Sequence, residues 1–290
     1  MSSIDAYQFV EKISMDECSE SLLYCDKQTN IKYIVIKIRL HYESQNQNNW
    51  AFREVELLSK LSHNNIIKIY KSFTEGQDLY IVTDYTDSGN LSQLISVRAK
   101  ANDPFTETEV MFYFVQILFA LKHIHDNQII HRDLRPKNIL LTKIVTGNIQ
   151  RQQVKLGGFH QAKVQEQLEL EQVGNPSYQS PEQLLENGYT NKSDIWNLGC
   201  VLYELCTFCL PFSGQTLYAM FTKIKQEKHK SIDSKWFSKE LSAIADSLLI
   251  KDPEIRPSAK ELLELPFVQK WITILAQKQM IDKELLETQQ

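Results

Sequence analysis

The stretch that decides the fold is His131-Arg132-Asp133-Leu134-Arg135-Pro136-Lys137-Asn138-Ile139-Leu140-Leu141 (HRDLRPKNILL), where charged and amide side chains run straight into an apolar segment. Further strings flank it in order. Upstream stand Val35-Ile36-Lys37 and Glu54; downstream stand Ser180-Pro181-Glu182, then Ser193-Asp194-Ile195-Trp196-Asn197-Leu198-Gly199, then Arg256 within DPEIRPS. The chain changes character across these marks. Ile31 to Leu40 and Leu79 to Thr83 are rich in β-branched residues and read as strands. Between them Trp50 to Leu61 reads as a helix, with Val55, Leu58 and Leu61 on one face. Glu43 to Asn49 reads as a solvated loop. After Ser88-Gly89-Asn90 the pattern turns helical. Thr106 and Glu109 form a capping-box pair at the start of one helix. Ser193 to Phe208 is apolar on nearly every face, as in a helix buried at the centre of a lobe. A small β-rich lobe is therefore expected before a larger α-rich one.

At 290 residues the chain suits one large two-lobed domain, long enough to bury a core without disulfide staples. Its net charge of −4, with no run of clustered basic residues, argues against a nucleic-acid binder. The cysteines Cys18, Cys25, Cys200, Cys206 and Cys209 are odd in number and scattered, which fits a reducing compartment. Cys206 and Cys209 form a lone C-x-x-C, expected to be core thiols because no second pair completes a zinc site. The N-terminal MSSIDAYQFVEKI has no apolar signal-peptide core. The longest oily stretch, Val110 to Leu121, falls short of the ~20 residues that span a bilayer. A cytoplasmic protein without membrane contact is expected.

HRDLRPKNILL resembles the catalytic loop of protein kinases, and the other strings resemble that family's further landmarks in the same order. Ser180-Pro181-Glu182 is similar to A-P-E, the Asp194 segment to D-x-W-x-x-G, and Arg256 to the arginine that salt-bridges the glutamate here numbered Glu182. Lys37 matches the strand lysine and Glu54 its helix partner. The strings LYIVTDYTDSGNL, SYQSPEQL, NKSDIWNLGCVLYELCT and LPFSG look like the NIMA-related (Nek) serine/threonine kinases. The resemblance covers residues 7–268. It implies an α+β bilobal protein-kinase fold, with an N-lobe over 1–85, a C-lobe over 86–268 and a helical tail over 269–290. It implies a nucleotide site at Lys37, Glu54, Thr83, Asp84 and Tyr85, and protein partners at microtubule-based structures such as centrosomes, basal bodies and cilia.

Phosphoryl transfer is chiefly positioning and charge neutralisation. On the family pattern Asp133 is the base that accepts the substrate hydroxyl's proton, and Asn138 is a metal ligand. Other readings stand beside these: Lys37 and Glu54 as an ion pair that only holds a helix, and Asp133 as a residue that only ties its loop. The remaining machinery is incomplete. Ser14, Asp16 and Ser19 stand where glycines close a loop over the phosphates, and Asp16, Glu17 and Glu20 add negative charge there. In Val154-Lys155-Leu156-Gly157-Gly158-Phe159-His160, Gly158 replaces the metal aspartate of D-F-G and offers Mg²⁺ no oxygen. Arg135 replaces the usual lysine, and Asn175 the usual threonine. From Phe159 to Pro176 there is no Ser, Thr or Tyr; Glu166, Glu169 and Glu171 make that stretch a solvated acidic loop or a source of a carboxylate for Arg132. The expectation is a pseudokinase acting as a protein-interaction scaffold or allosteric module, with Asp133 a vestigial base, ATP and Mg²⁺ weakly held and neither required. The alternatives are a slow serine/threonine kinase, or a domain that binds nucleotide without turnover.

The scaffold is intact by contrast. Leu58, His131, Phe159 and Asp194 match the family's internal hydrophobic spine. Thr142 to Gln153 is longer than the family usually shows and reads as a hairpin turning at Gly147-Asn148. Trp271, Ile274, Leu275, Ile281 and Leu285 fall near helical spacing, for packing on the large lobe or for receiving a partner helix.

Overall fold

In the N-terminal part, strand register decides which side chains face the cleft. The computed structural model describes residues 3–15, 19–40, 45–146, 149–164, 174–185 and 188–281. Strands β1 (Tyr7–Met15), β2 (Ser19–Asp26), β3 (Lys32–Arg39), β4 (Ile69–Glu75) and β5 (Asp78–Asp84) form an antiparallel sheet in the order β1-β2-β3-β5-β4, with helix α1 (Gln45–Lys60) between β3 and β4. Side chains alternate across a strand with period two. Val35, Tyr80 and Val82 therefore share one face with Tyr7 and make a small core there. On the other face Ile38, Leu79 and Ile81 pack against Ala51 of α1, with Ile36 and Val55 beside them.

Helix α1 begins at Gln45, so the expected loop over Glu43 to Asn49 ends sooner than the polar composition suggests. Adding turns to a nucleated helix is cheap, and glutamine is a good helix former.

The larger lobe holds helices α2 (Leu91–Lys100), α3 (Glu107–Asp126), α4 (Pro181–Leu184), α5 (Asn191–Thr207), α6 (Leu217–Gln226), α7 (Lys239–Leu248), α8 (Ala259–Glu264) and α9 (Pro266–Gln277). Strands β6 (Ile129–Ile130) and β9 (Lys163–Val164) pair with each other, as do β7 (Ile139–Thr146) and β8 (Ile149–Leu156). Thr106 and Glu109 close the capping box on α3, and the helix is buried without a break from Val110 to Leu121. Helix α5 is buried on nearly every face, as its composition predicts. The two-lobed α+β arrangement is thus present.

Glu182 and Arg256 lock α4 to the loop before α8. Their contacts are bidentate, at 2.8 and 3.1 Å, and Arg256 also donates to the carbonyls of Ile250 and Lys192. Both side chains are buried, so each charge depends on its partner. The β7–β8 hairpin pairs in register from Ile139↔Leu156 to Thr146↔Ile149; Gly147 and Asn148 lie outside the described residues. Helix α9 begins at Pro266 and so runs across the expected boundary at 268/269. Ile272, Leu275, Ala276 and Ile281 join the large-lobe core, while Leu285 lies outside the described residues. Cys206 is partly buried and packs against the core, whereas Cys209 is exposed, because the helix has ended before it; only the first comes near the expectation of a core thiol. Among the described residues no helix is long and apolar enough to cross a membrane.

Candidate active site

The 131–138 loop is built around a buried carboxylate. Asp194, at the start of α5, accepts from the backbone N–H groups of His131 and Arg132 at 2.9 and 3.0 Å, and from His125 Nε2 at 2.8 Å. Burial works against its ionisation, yet the hydrogen bonds from His125 and His131 hold the carboxyl below its usual range. His131 is fully buried, which pushes its pKa down and keeps the imidazole neutral. Nε2–H then donates to Gly157 O at 2.9 Å, and Nδ1 accepts from Asp133 N at 3.3 Å. The His131 ring meets Phe159 edge-on at 4.8 Å. With Leu58 buried nearby, all four expected spine residues belong to one packed interior.

Asp133 is presented by this frame but is already engaged. Its Oδ2 accepts from Asn138 Nδ2 at 2.7 Å, and the same amide donates to Asp133 O at 2.8 Å. Arg135 Nε lies 3.2 Å from Asp133 Oδ1 as an ion pair, although its N–H is not aligned on that oxygen. The expected base, metal ligand and Arg135 are therefore together.

The Asn138 amide lies against Gly158. The glycine's φ of +77° and ψ of 40° lie in the left-handed region, which glycine enters without strain. A Cβ there would stand 2.4 to 2.8 Å from the Asn138 amide atoms. The amide thus fills space that any side chain at 158 would need. Mg²⁺ requires hard oxygen ligands in near-octahedral array. Gly158 supplies none, so of the two expected side-chain ligands only Asn138 is left, with its Nδ2 held by Asp133 and its Oδ1 the one atom that could meet a metal. The residues present do not fit Mg²⁺ bound as kinases bind it.

The expected Lys37–Glu54 pair is not formed. Lys37 Nζ lies 3.0 Å from Asp78 Oδ2 and 5.9 Å from the Tyr80 ring. The cause is strand parity. Ile34 and Ile36 line the cleft together with Ile81 and Thr83, their register partners on β5. Lys37 is one residue out of phase and projects from the opposite face. Glu54 does line the cleft, but its partner is the Phe159 backbone N–H, and burial pushes its pKa up to about 7.

The cleft has a volume of about 540 Å³. Thr83, Asp84 and Tyr85 all line it, as expected of the segment that links the lobes. Thr83 Oγ1 donates to Ile34 O at 3.2 Å, and Asp84 is held by Lys155 Nζ at 3.0 Å and Tyr70 OH at 2.9 Å. The apolar walls suit a flat ring. Where the phosphates of ATP would follow, β3 offers Ile36 instead of a cation. Ser14 lines the cleft in place of a glycine; Asp16 and Glu17 lie outside the described residues, as do Glu166, Glu169 and Glu171. Asn175 accepts from Ser177 N at 3.0 Å and so caps a short turn. Reading the sequence missed Ile36, Asp78 and the inward turn of Asn138. Only the last had a signal, the glycine at 158.

Two lobes, a catalytic-loop frame tied to Asp194 and the Glu182–Arg256 lock define a protein-kinase domain. Residues 7–268 match the protein kinase domain family, and the chain belongs to it. It is 35% identical over 284 residues to the human serine/threonine-protein kinase Nek5, covering 97% of this chain and 39% of that protein. It is 36% identical over 275 residues to the probable serine/threonine-protein kinase nek3 of Dictyostelium discoideum, covering 93% of this chain and 24% of that protein. It is 35% identical over 284 residues to serine/threonine-protein kinase Nek1 of Mus musculus, covering 97% and 23%. The chain spans 23 to 39% of the length of these relatives.

Proposed function

We propose that this Nek-like kinase domain is a pseudokinase, which acts by binding protein partners as a scaffold or allosteric module instead of transferring phosphate. The observation that carries the reading is Ile36 on the cleft face of β3, with the nearby lysine turned away onto Asp78. Gly158, which offers a metal no side-chain oxygen, supports it. A cation aimed at phosphate charge is worth about 10²–10³ in rate, and loss of the metal aspartate acts on the same charge. The two losses need not add, so at least ~10³-fold is claimed.

A second reading, a slow serine/threonine kinase, is favoured by the presence of Asp133 and Asn138 and by the names of the relatives. Turnover would require a substrate hydroxyl to reach Asp133 beside Asn138 and Arg135. Binding of ATP without turnover is a third. A cytoplasmic setting with protein partners, and neither nucleic acid nor membrane, rests on charge, cysteine pattern and hydropathy, and a place near microtubules or cilia rests on family resemblance. Thermal-shift titration with ATP, with and without Mg²⁺, alongside a peptide phosphotransfer assay, tests the reading. The pseudokinase account expects no Mg²⁺-dependent shift and no transfer above background.

A further inference from the structure

The cleft is unbalanced in charge. Among the described residues Glu54, Asp84 and Asp87 line it, against one cationic side chain, Lys137. Two of the carboxylates are matched locally. Asp84 meets Lys155, Tyr70 OH and the Lys68 N–H, and Asp87 Oδ1 accepts from Ser88 Oγ and the Lys143 N–H. Glu54 differs. It is 8% exposed, it accepts from the Phe159 N–H, and among the described residues no cation pairs with it. A buried carboxylate without a counter-charge is costly, and a bound cation recovers part of that cost. Around it the walls are aliphatic, chiefly Ile34, Ile36, Ile67, Ile81 and Leu140. A volume of about 540 Å³ lies within the range of clefts that take small organic ligands.

We infer that this cleft binds a flat apolar ligand bearing a protonated amine, with the ammonium group seated on Glu54 and the ring between the isoleucine walls. The bound ammonium supplies the charge that Ile36 does not. A triphosphate brings charge of the wrong sign to the same carboxylates. The inference shares with the proposed function the observation that no β3 cation enters the cleft, but it concerns binding and not turnover.

Calorimetric titration of the whole chain with three indoles of matched size tests it: tryptamine (cationic), 3-ethylindole (neutral) and indole-3-propionate (anionic). Tryptamine is expected to bind at least ~10-fold more tightly than 3-ethylindole, and indole-3-propionate most weakly. Glu54→Gln should remove the tryptamine advantage and leave 3-ethylindole unchanged. Ile36→Lys, which supplies an internal ammonium, should remove it too and guards against a folding defect in the first variant. An equal or reversed order, no binding by any of the three, or an advantage that survives Glu54→Gln overturns the inference. ATP titrated in the same series separates the two claims. Tight Mg²⁺-dependent ATP binding counts against the proposed function, whereas the order of the indoles alone decides this one.

Discussion

Asn138 Nδ2 lies 2.7 Å from Asp133 Oδ2, so the expected metal ligand is a hydrogen-bond donor to the expected base. The same amide stands where a Cβ at residue 158 would fall, 2.4 to 2.8 Å from its atoms.

Restoring the missing carboxylate alone should therefore fail. In Gly158→Asp the new Cβ would meet the Asn138 amide, and an aspartate would have to hold φ near +77°. Left-handed backbone costs a non-glycine residue roughly 1–2 kcal/mol. The variant should unfold at a lower denaturant concentration and show no gain in phosphotransfer. Adding Asn138→Ala should recover part of the stability, since it removes the clash but not the backbone strain. If Gly158→Asp is as stable as the parent, Asn138 moves aside at no cost and the closed site is not a packed one.

Glu54 gives stability a pH dependence of known sign. Its pKa is about 7 in the folded chain against 4.5 as the ordinary value. The folded state thus holds its proton more tightly than the unfolded state. The stability from that difference is fully present below pH ~4.5 and is lost as pH rises through ~7. Glu54→Gln removes the dependence. Relative to the parent it should gain about 2–3 kcal/mol between pH 5 and pH 8, at about 1.4 kcal/mol per pKa unit. Denaturant midpoints at the two pH values measure this; a constant difference would mean that Glu54 is ionised with a partner.

The Glu182–Arg256 lock should be structural. Arg256→Ala leaves a buried carboxylate uncompensated and should cost about 3–5 kcal/mol in chemical denaturation. A variant with the parent's midpoint would show that the pair contributes nothing.

Lys37→Met should be nearly silent. The Lys37–Asp78 pair is partly exposed, and such pairs are worth about 0–1 kcal/mol. The cleft contains no part of Lys37, so the binding of any cleft ligand should be unchanged in calorimetry. Loss of ligand binding on this substitution would place the side chain in the cleft.

Much of the fold was legible because it is written in local patterns: the Thr106–Glu109 cap, the continuously apolar α3 and α5, and the charged strings that mark the Asp194 frame and Glu182–Arg256. Lys37 was not legible. The run Ile34-Val35-Ile36 is β-branched throughout and gives no polar alternation, so nothing in it says which residues face the cleft. Only pairing with β5 sets that phase. The Asn138–Asp133 contact was legible only in part: Gly158 stands in the string, but the closeness of the Asn138 amide to it exists only in three dimensions.

The central claim is tested most directly by the rate of peptide phosphorylation with ATP and Mg²⁺, measured beside an active Nek-family kinase domain under the same conditions, with Asp133→Asn as control. The account predicts a rate at least ~10³-fold below the active domain, unchanged by Asp133→Asn, because each factor of ten is only about 1.4 kcal/mol of lost transition-state stabilisation. An ordinary kinase rate that Asp133→Asn abolishes would contradict it.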